Sequence, residues 1–196
     1  MIKAIIFDLN GVFILSPKLS DRFEKDFGVP PSAFLPKLGA IMDEVRKPGA
    51  KAAFTYWEHV LKEWDVDMTE AEFWNYWFSA ETPSEEMISF ARELKQKGVK
   101  VITLSNNFKE RAEHYSHYPW MHDAVDKAYF SWQTGLVKPD VEAWRLVLND
   151  FALNPSEAIY FDGQEKNLKA AESLGIRAFM FISLEETRDT VEALLG

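Results

Sequence analysis

The sequence predicts an α/β fold: a doubly wound, mostly parallel sheet with a helical segment inserted after its first strand. Three observations carry that prediction. Short, nearly continuous apolar runs recur along the chain, as in strands buried on both faces of a parallel sheet. Segments with helical spacing alternate with these runs. The stretch 16–81 breaks the rhythm, with several helical patterns and no convincing strand.

Ala4 to Leu9 reads as the first strand, with Asp8, Asn10 and Gly11 at its end. Within the strand-free stretch, Thr69 followed by Glu72 makes a capping box and opens a helix. Trp57, Trp64, Trp74 and Trp77 all lie here, and a small helical bundle needs such large side chains for its core. The next helix has Thr82 as N-cap, Pro83 in its first turn, Glu85 at N3 and Gly98 as its stop. Val99 to Ser105 is the second strand, Ala158 to Asp162 the third and Arg177 to Ile182 the fourth. Asp140–Asp150 and Glu165–Leu174 have helical spacing, and Gly175 closes the second of them. Residues 1–15 and 82–196 thus form an α/β core. Residues 16–81 form a helical cap over the carboxyl ends of the strands, where such sheets bind ligands.

Composition narrows the function. Apolar residues make up 47% and charged residues 27%, values of a globular chain and not a disordered one. With 22 Lys and Arg against 31 Asp and Glu, the net charge is −9, which argues against nucleic acid or an anionic membrane as main partner. An anionic small molecule remains compatible, because a pocket can be locally positive. The chain has no cysteine, so disulfides, thiolate metal sites and Cys nucleophiles are excluded. The N-terminal residues lack the layout of a signal peptide, and cytoplasm is the expected compartment.

The chemistry gathers at strand ends. Asp8 and Asn10 follow the first strand, and Ser105, Asn106 and Asn107 end the second. Lys138 lies in the Gly135–Asp140 loop, and Asp162 and Gly163 end the third strand. These positions converge on one crevice at the carboxyl edge of the sheet. A carboxylate, a hydroxyl, an ammonium and a second carboxylate together make a site that handles phosphate.

In these motifs, in order and spacing, the chain resembles the haloacid dehalogenase (HAD) superfamily over nearly its whole length. Within that superfamily it resembles the small-capped sugar-phosphate phosphatases and the phosphatase domain of soluble epoxide hydrolase. The run from Gly135 through Lys138-Pro139 to Asp162, Asn167, Ala170 and Gly175 is especially similar. The resemblance implies a HAD-like Rossmannoid core and a nucleophilic Asp8 that forms an aspartyl-phosphate. It implies that Ser105, with Asn106 beside it, holds phosphoryl oxygens. Lys138 would keep Asp8 ionised and offset charge in the transition state. Mg²⁺ would sit between Asp8, the main-chain carbonyl of Asn10 and Asp162.

Two departures set this chain apart. Where the family's phosphatases place a general-acid Asp, this chain has Asn10, which can donate a hydrogen bond but cannot deliver a proton. Gly163 stands where relatives show a second acid that often ligates Mg²⁺, so the metal site is weakened. The expected activity is a Mg²⁺-dependent phosphatase on a small phosphorylated metabolite, slowed by the missing acid, in a monomer or homodimer. Two alternatives stand beside it: a non-catalytic HAD-like binding protein, and a metal-independent 2-haloacid dehalogenase. His114 and His117 share a helix face but lack a completed ligand set, so they read as a surface feature. Arg46, Lys47 and Lys51 read as a solvated helix face.

Overall fold

The computed structural model describes residues 1–195. Its strands are β1 (Ala4–Phe7), β2 (Ile14–Leu15), β3 (Thr82–Pro83), β4 (Lys100–Ser105), β5 (Lys127–Phe130), β6 (Ala158–Asp162) and β7 (Arg177–Met180). The helices are α1 (Leu19–Phe27), α2 (Pro31–Val45), α3 (Phe54–Glu63), α4 (Glu70–Phe78), α5 (Glu85–Gln96) and α6 (Lys109–Ser116), followed by the one-turn α7 (Trp120–Asp123) and α8 (Ser131–Thr134). The last three are α9 (Glu142–Asp150), α10 (Glu165–Ser173) and α11 (Leu184–Leu195).

Five strands pair in parallel in the order β5-β4-β1-β6-β7. The chain starts at the centre with β1, builds outward through β4 to β5, then returns to β6 on the other side. Strand order therefore reverses around β1, and the crevice beyond its carboxyl end is where a ligand fits such a sheet.

β1 is buried at every residue because both faces are covered. Side chains alternate across a strand, so Ile5 and Phe7 pack with α5, α6 and α11 in one core. Ala4 and Ile6 point the other way and pack with α9 and α10. Phe7 and Phe161 stack with ring centroids 5.5 Å apart, fastening β1 to β6. Burying a side chain of this size contributes about 1.5–3 kcal/mol.

The sequence places most of this correctly, with informative differences. β5 is missing from the sequence reading, because its four residues sit at the sheet edge and give too short an apolar run. The N-cap of α5 is Ser84, whose hydroxyl accepts from the Met87 amide, and not Thr82. Thr82 and Pro83 are drawn into an antiparallel pair with Leu15 and Ile14. The capping box at Thr69 and Glu72 forms as expected.

Helices α1–α4 fill the interval between β2 and β3 and own a separate aromatic core. Phe23, Phe34, Trp57 and Phe73 are fully enclosed there. Trp57 lies 5.6 Å from Phe34 and 5.2 Å from Phe73, ring centre to ring centre, within the range of favourable aromatic pairs. Phe108, on the way from β4 into α6, inserts into the same cluster and ties it to the α/β core. No helix among the described residues is long and apolar enough to cross a membrane.

Candidate active site

Asp8 stands one residue beyond β1. Its amide donates to the Phe161 carbonyl at 2.8 Å, so it stays fixed to the sheet although the strand has ended. The chain then turns sharply. Gly11 adopts φ +86°, a left-handed conformation that glycine reaches without strain, and its amide donates to Ile14 at 2.8 Å. This turn holds Asp8 and Asn10 at the mouth of the crevice.

Lys138 reaches the same place from the loop before α9. Asn106 fixes it: the Asn106 amide nitrogen donates to the Lys138 carbonyl, and the Lys138 N–H donates to the Asn106 amide oxygen, both at 2.8 Å. Lys138 is 3% exposed, and its ammonium donates to Asp8 Oδ1 at 3.0 Å, Asp162 Oδ2 at 2.7 Å and the Tyr160 hydroxyl at 3.1 Å. Tyr160 in turn donates to Asp162 Oδ2.

The two carboxylates are unequal. Burial pushes the Asp8 carboxyl above its ordinary value of 3.8, with Lys138 pulling it back and Asp162 adding to the rise. Burial also opposes ionisation of Asp162, but Lys138, Tyr160 and Asn167 hold it below 3.8. Asp162 is thus the settled counter-ion of Lys138, while Asp8 is half-buried and its Oδ2 makes no side-chain hydrogen bond among the described residues.

Asn10 is tied on both ends. Its Nδ2 donates to the Tyr115 hydroxyl at 2.7 Å, and its Oδ1 accepts from Asn107 at 3.2 Å. Asn107 is held by Ser131, whose hydroxyl accepts from its amide and donates to its carbonyl. Burial pushes the Tyr115 phenol up, so it stays neutral. Nothing in this chain of contacts supplies a titrating proton at Asn10.

Asp8, Asn10, Ser105, Asn106 and Lys138 all border one cavity of ≈ 430 Å³. Asp162 lies beneath its floor, fully buried. The cavity also takes in Asp43 and Arg46 from the helical segment, Arg111 from α6, and Lys166 from α10. Arg46 corrects the expectation of a solvated helix face: it is half-buried at the end of α2 and looks into the cavity. Arg111 escaped the sequence reading. Its guanidinium is anchored by the fully buried Glu81, Nε to Oε1 at 2.8 Å. His114 is likewise no plain surface residue, since its ring stacks on Phe78 at 4.7 Å and its Nε2 lies 3.2 Å from the Tyr118 hydroxyl.

Mg²⁺ prefers six oxygens in near-ideal octahedral geometry. Asp162 is fully buried with both oxygens engaged: Oδ1 accepts from the Gln164 amide at 2.8 Å, and Oδ2 accepts from Lys138, Tyr160 and Asn167. Gly163 has no side chain. Among the described residues no three His, Cys, Asp or Glu side chains group as a metal centre. The protein ligands that remain are the Asn10 carbonyl and Asp8, and since this one carboxylate is already ion-paired with Lys138 the donor set does not fit the ion.

Comparison with known proteins agrees with this fold. A family model described as haloacid dehalogenase-like hydrolase matches residues 2–175. Acyl-CoA dehydrogenase family member 10 of Mus musculus is 29% identical over 99% of this chain and 19% of its own length. Sesquiterpene phosphatase astK of Aspergillus oryzae is 34% identical over 48% of each. Bifunctional epoxide hydrolase 2 of Rattus norvegicus is 23% identical over 98% of this chain and 38% of its own length. The chain therefore spans less than half the length of these curated relatives. A solved HAD family enzyme, bt-2542 of Bacteroides thetaiotaomicron, in complex with magnesium and inorganic phosphate, superposes with a TM-score of 0.77. It is 20% identical, over 94% of this chain and 96% of its own.

Proposed function

Because the chain belongs to the haloacid dehalogenase-like hydrolases, we propose that this hydrolase cleaves a small phosphomonoester with Asp8 as nucleophile. The observation that carries the reading is the Asp8 carboxylate, with Oδ1 on Lys138 and Oδ2 without a side-chain partner, at the edge of a cavity whose lining holds four cationic side chains against two carboxylates. The phosphatase among its relatives supports the same chemistry.

Asp8 Oδ2 attacks phosphorus, a new O–P bond forms, and the bond to the leaving oxygen breaks. Lys138 stays hydrogen-bonded to Oδ1 and holds the carboxylate in line. Ser105 borders the cavity at the end of β4, placed to donate to a phosphoryl oxygen. Water then attacks the phosphorus of the acyl-phosphate, releasing phosphate and restoring the Asp8 carboxylate. Asn10 supplies no proton to the leaving oxygen, so the favoured substrates leave as stable anions: acyl phosphates, or sugars phosphorylated at the anomeric carbon. No step is routed through Mg²⁺, since the donor set does not fit it.

Acid-quenched incubation with ³²P-labelled acetyl phosphate tests this reading. The expected result is one label per chain, on the peptide containing Asp8. Turnover without any protein-bound label would sink it.

A second reading, hydrolytic removal of halide from a 2-haloacid, is favoured by one observation, the absence of a divalent-ion donor set among the described residues. It too uses Asp8 as nucleophile. Halide release from 2-chloropropionate in chelator would support it, and no release would remove it.

A further inference from the structure

We propose that this cavity binds a phosphoryl group without a divalent cation, the countercharge coming from Lys138 together with Arg46 and Arg111. The inference rests on reading the cavity as a phosphoryl site and goes further, assigning the charge that a metal supplies elsewhere in the family to three side chains of this one.

The first ground is the occupied carboxylate. Asp162 is 0% exposed and its four donors come from the protein itself, so no ion can bind it without breaking a buried network. Lys138 occupies the space between Asp162 and Asp8, where it bridges both.

The second ground is the state of the two arginines. Arg46 makes no ion pair among the described residues, and its Nε is shut away from solvent without an acceptor. A buried N–H lacking an acceptor is unfavourable. Burial and the neighbouring Arg111 charge both pull the Arg46 guanidinium below its usual value, with Asp43 opposing. Arg111 commits Nε and Nη2 to Glu81 Oε1, which fixes the plane of its fork beside Tyr115, and it still borders the cavity. Two guanidinium groups that border one cavity repel each other, and an anion between them relieves the repulsion. Planar forks of this kind suit phosphate oxygens. A chain with a net charge of −9 thus places Arg46, Arg111, Lys138 and Lys166 around a cavity whose lining carboxylates are Asp8 and Asp43.

Two binding measurements on the full chain test this, and neither reads turnover. Mn²⁺ is titrated and followed by its free-ion electron paramagnetic resonance signal. No uptake is expected up to about 1 mM, the weak end of protein sites for hard cations, and saturation well below that overturns the proposal. Inorganic phosphate is titrated calorimetrically in chelator and again in Mg²⁺. Equal binding in both is expected, with a loss of about tenfold or more in Arg46→Gln. Binding only with Mg²⁺, or unchanged binding in Arg46→Gln, overturns the inference and leaves the phosphatase reading in place. No binding in either buffer overturns both.

Gly163→Asp provides the converse. Its φ lies outside the left-handed region and no atom lies within 4 Å of an added Cβ, so the new carboxylate is accommodated. This variant is expected to take up Mn²⁺ where the parent does not. Failure to do so in the folded variant would show that Gly163 is not what keeps the metal out, and would count against the proposal.

Discussion

Asn10 points its carboxamide nitrogen at the hydroxyl of the buried Tyr115, 2.7 Å away, although the residue itself borders the cavity. Asn10, two positions after the proposed nucleophile, is therefore a structural tie. An amide held this way shapes the loop but contributes no proton, which on the proposed mechanism limits the leaving groups the site can process.

The first prediction follows from it. Rate should fall steeply as the pKa of the leaving alcohol rises, because the leaving oxygen departs without help. Asn10→Asp should raise kcat for alkyl phosphates by about 10²-fold, the low end of general acid catalysis, and change activated aryl phosphates little. A leaving-group series on both proteins checks this. A flat series for the parent chain would contradict it.

Asp162 should matter to the fold as much as to the site. Asp162→Asn leaves the buried Lys138 with Asp8 alone, and removing one partner of a buried ion pair costs about 3–5 kcal/mol. Tyr160→Phe removes one donor of several and should cost about 1 kcal/mol. Urea unfolding of the two variants should separate them in that order.

The pH dependence has a definite sign. On the proposed mechanism ionised Asp8 is the attacking form, and burial holds its carboxyl above 3.8, so activity should fall on acidification with a midpoint above 3.8. The same shift acts on stability. Between 3.8 and the raised native value the folded chain holds the proton more tightly than the unfolded one, so stability falls as pH rises through that window. Asp8→Asn should therefore melt higher than the parent at neutral pH, and the difference should shrink toward pH 3.8. Calorimetry across pH reads this directly.

The helical segment stands on its aromatic core. Trp57 is 0% exposed between Phe34 and Phe73, and Trp57→Ala should cost about 3–5 kcal/mol. Hydrogen exchange should show lost protection across α1–α4 while β1 and β4 stay protected. Equal loss in the sheet would mean that the two cores unfold as one.

How much of this is legible in the sequence depends on the element. Asp8, Ser105 and Asp162 stand out because each ends an apolar run abruptly, and a buried strand rarely stops in a polar residue without reason. Lys138 is legible through its loop and the resemblance of that loop to known sites. Tyr160 is not, because within Ala158–Asp162 it looks like one more core residue, and only packing places its hydroxyl against Lys138. Arg46 and Arg111 are hidden for another reason. Each sits on or at the end of a helix, where one face looks like another until the orientation of the helical segment against the sheet is known. The unavailability of Asp162 as a metal ligand is also a packing property, since the four donors that fill it come from Lys138, Tyr160, Gln164 and Asn167.

The central claim is that Asp8 is the nucleophile of a phosphate-ester hydrolase. Its most direct test is hydrolysis of 4-nitrophenyl phosphate by the purified chain and by Asp8→Ala, each in Mg²⁺ and in chelator. The account predicts turnover by the parent chain in both buffers and background rates in the variant. Equal rates in the variant, or no turnover by the parent chain in either buffer, would contradict it.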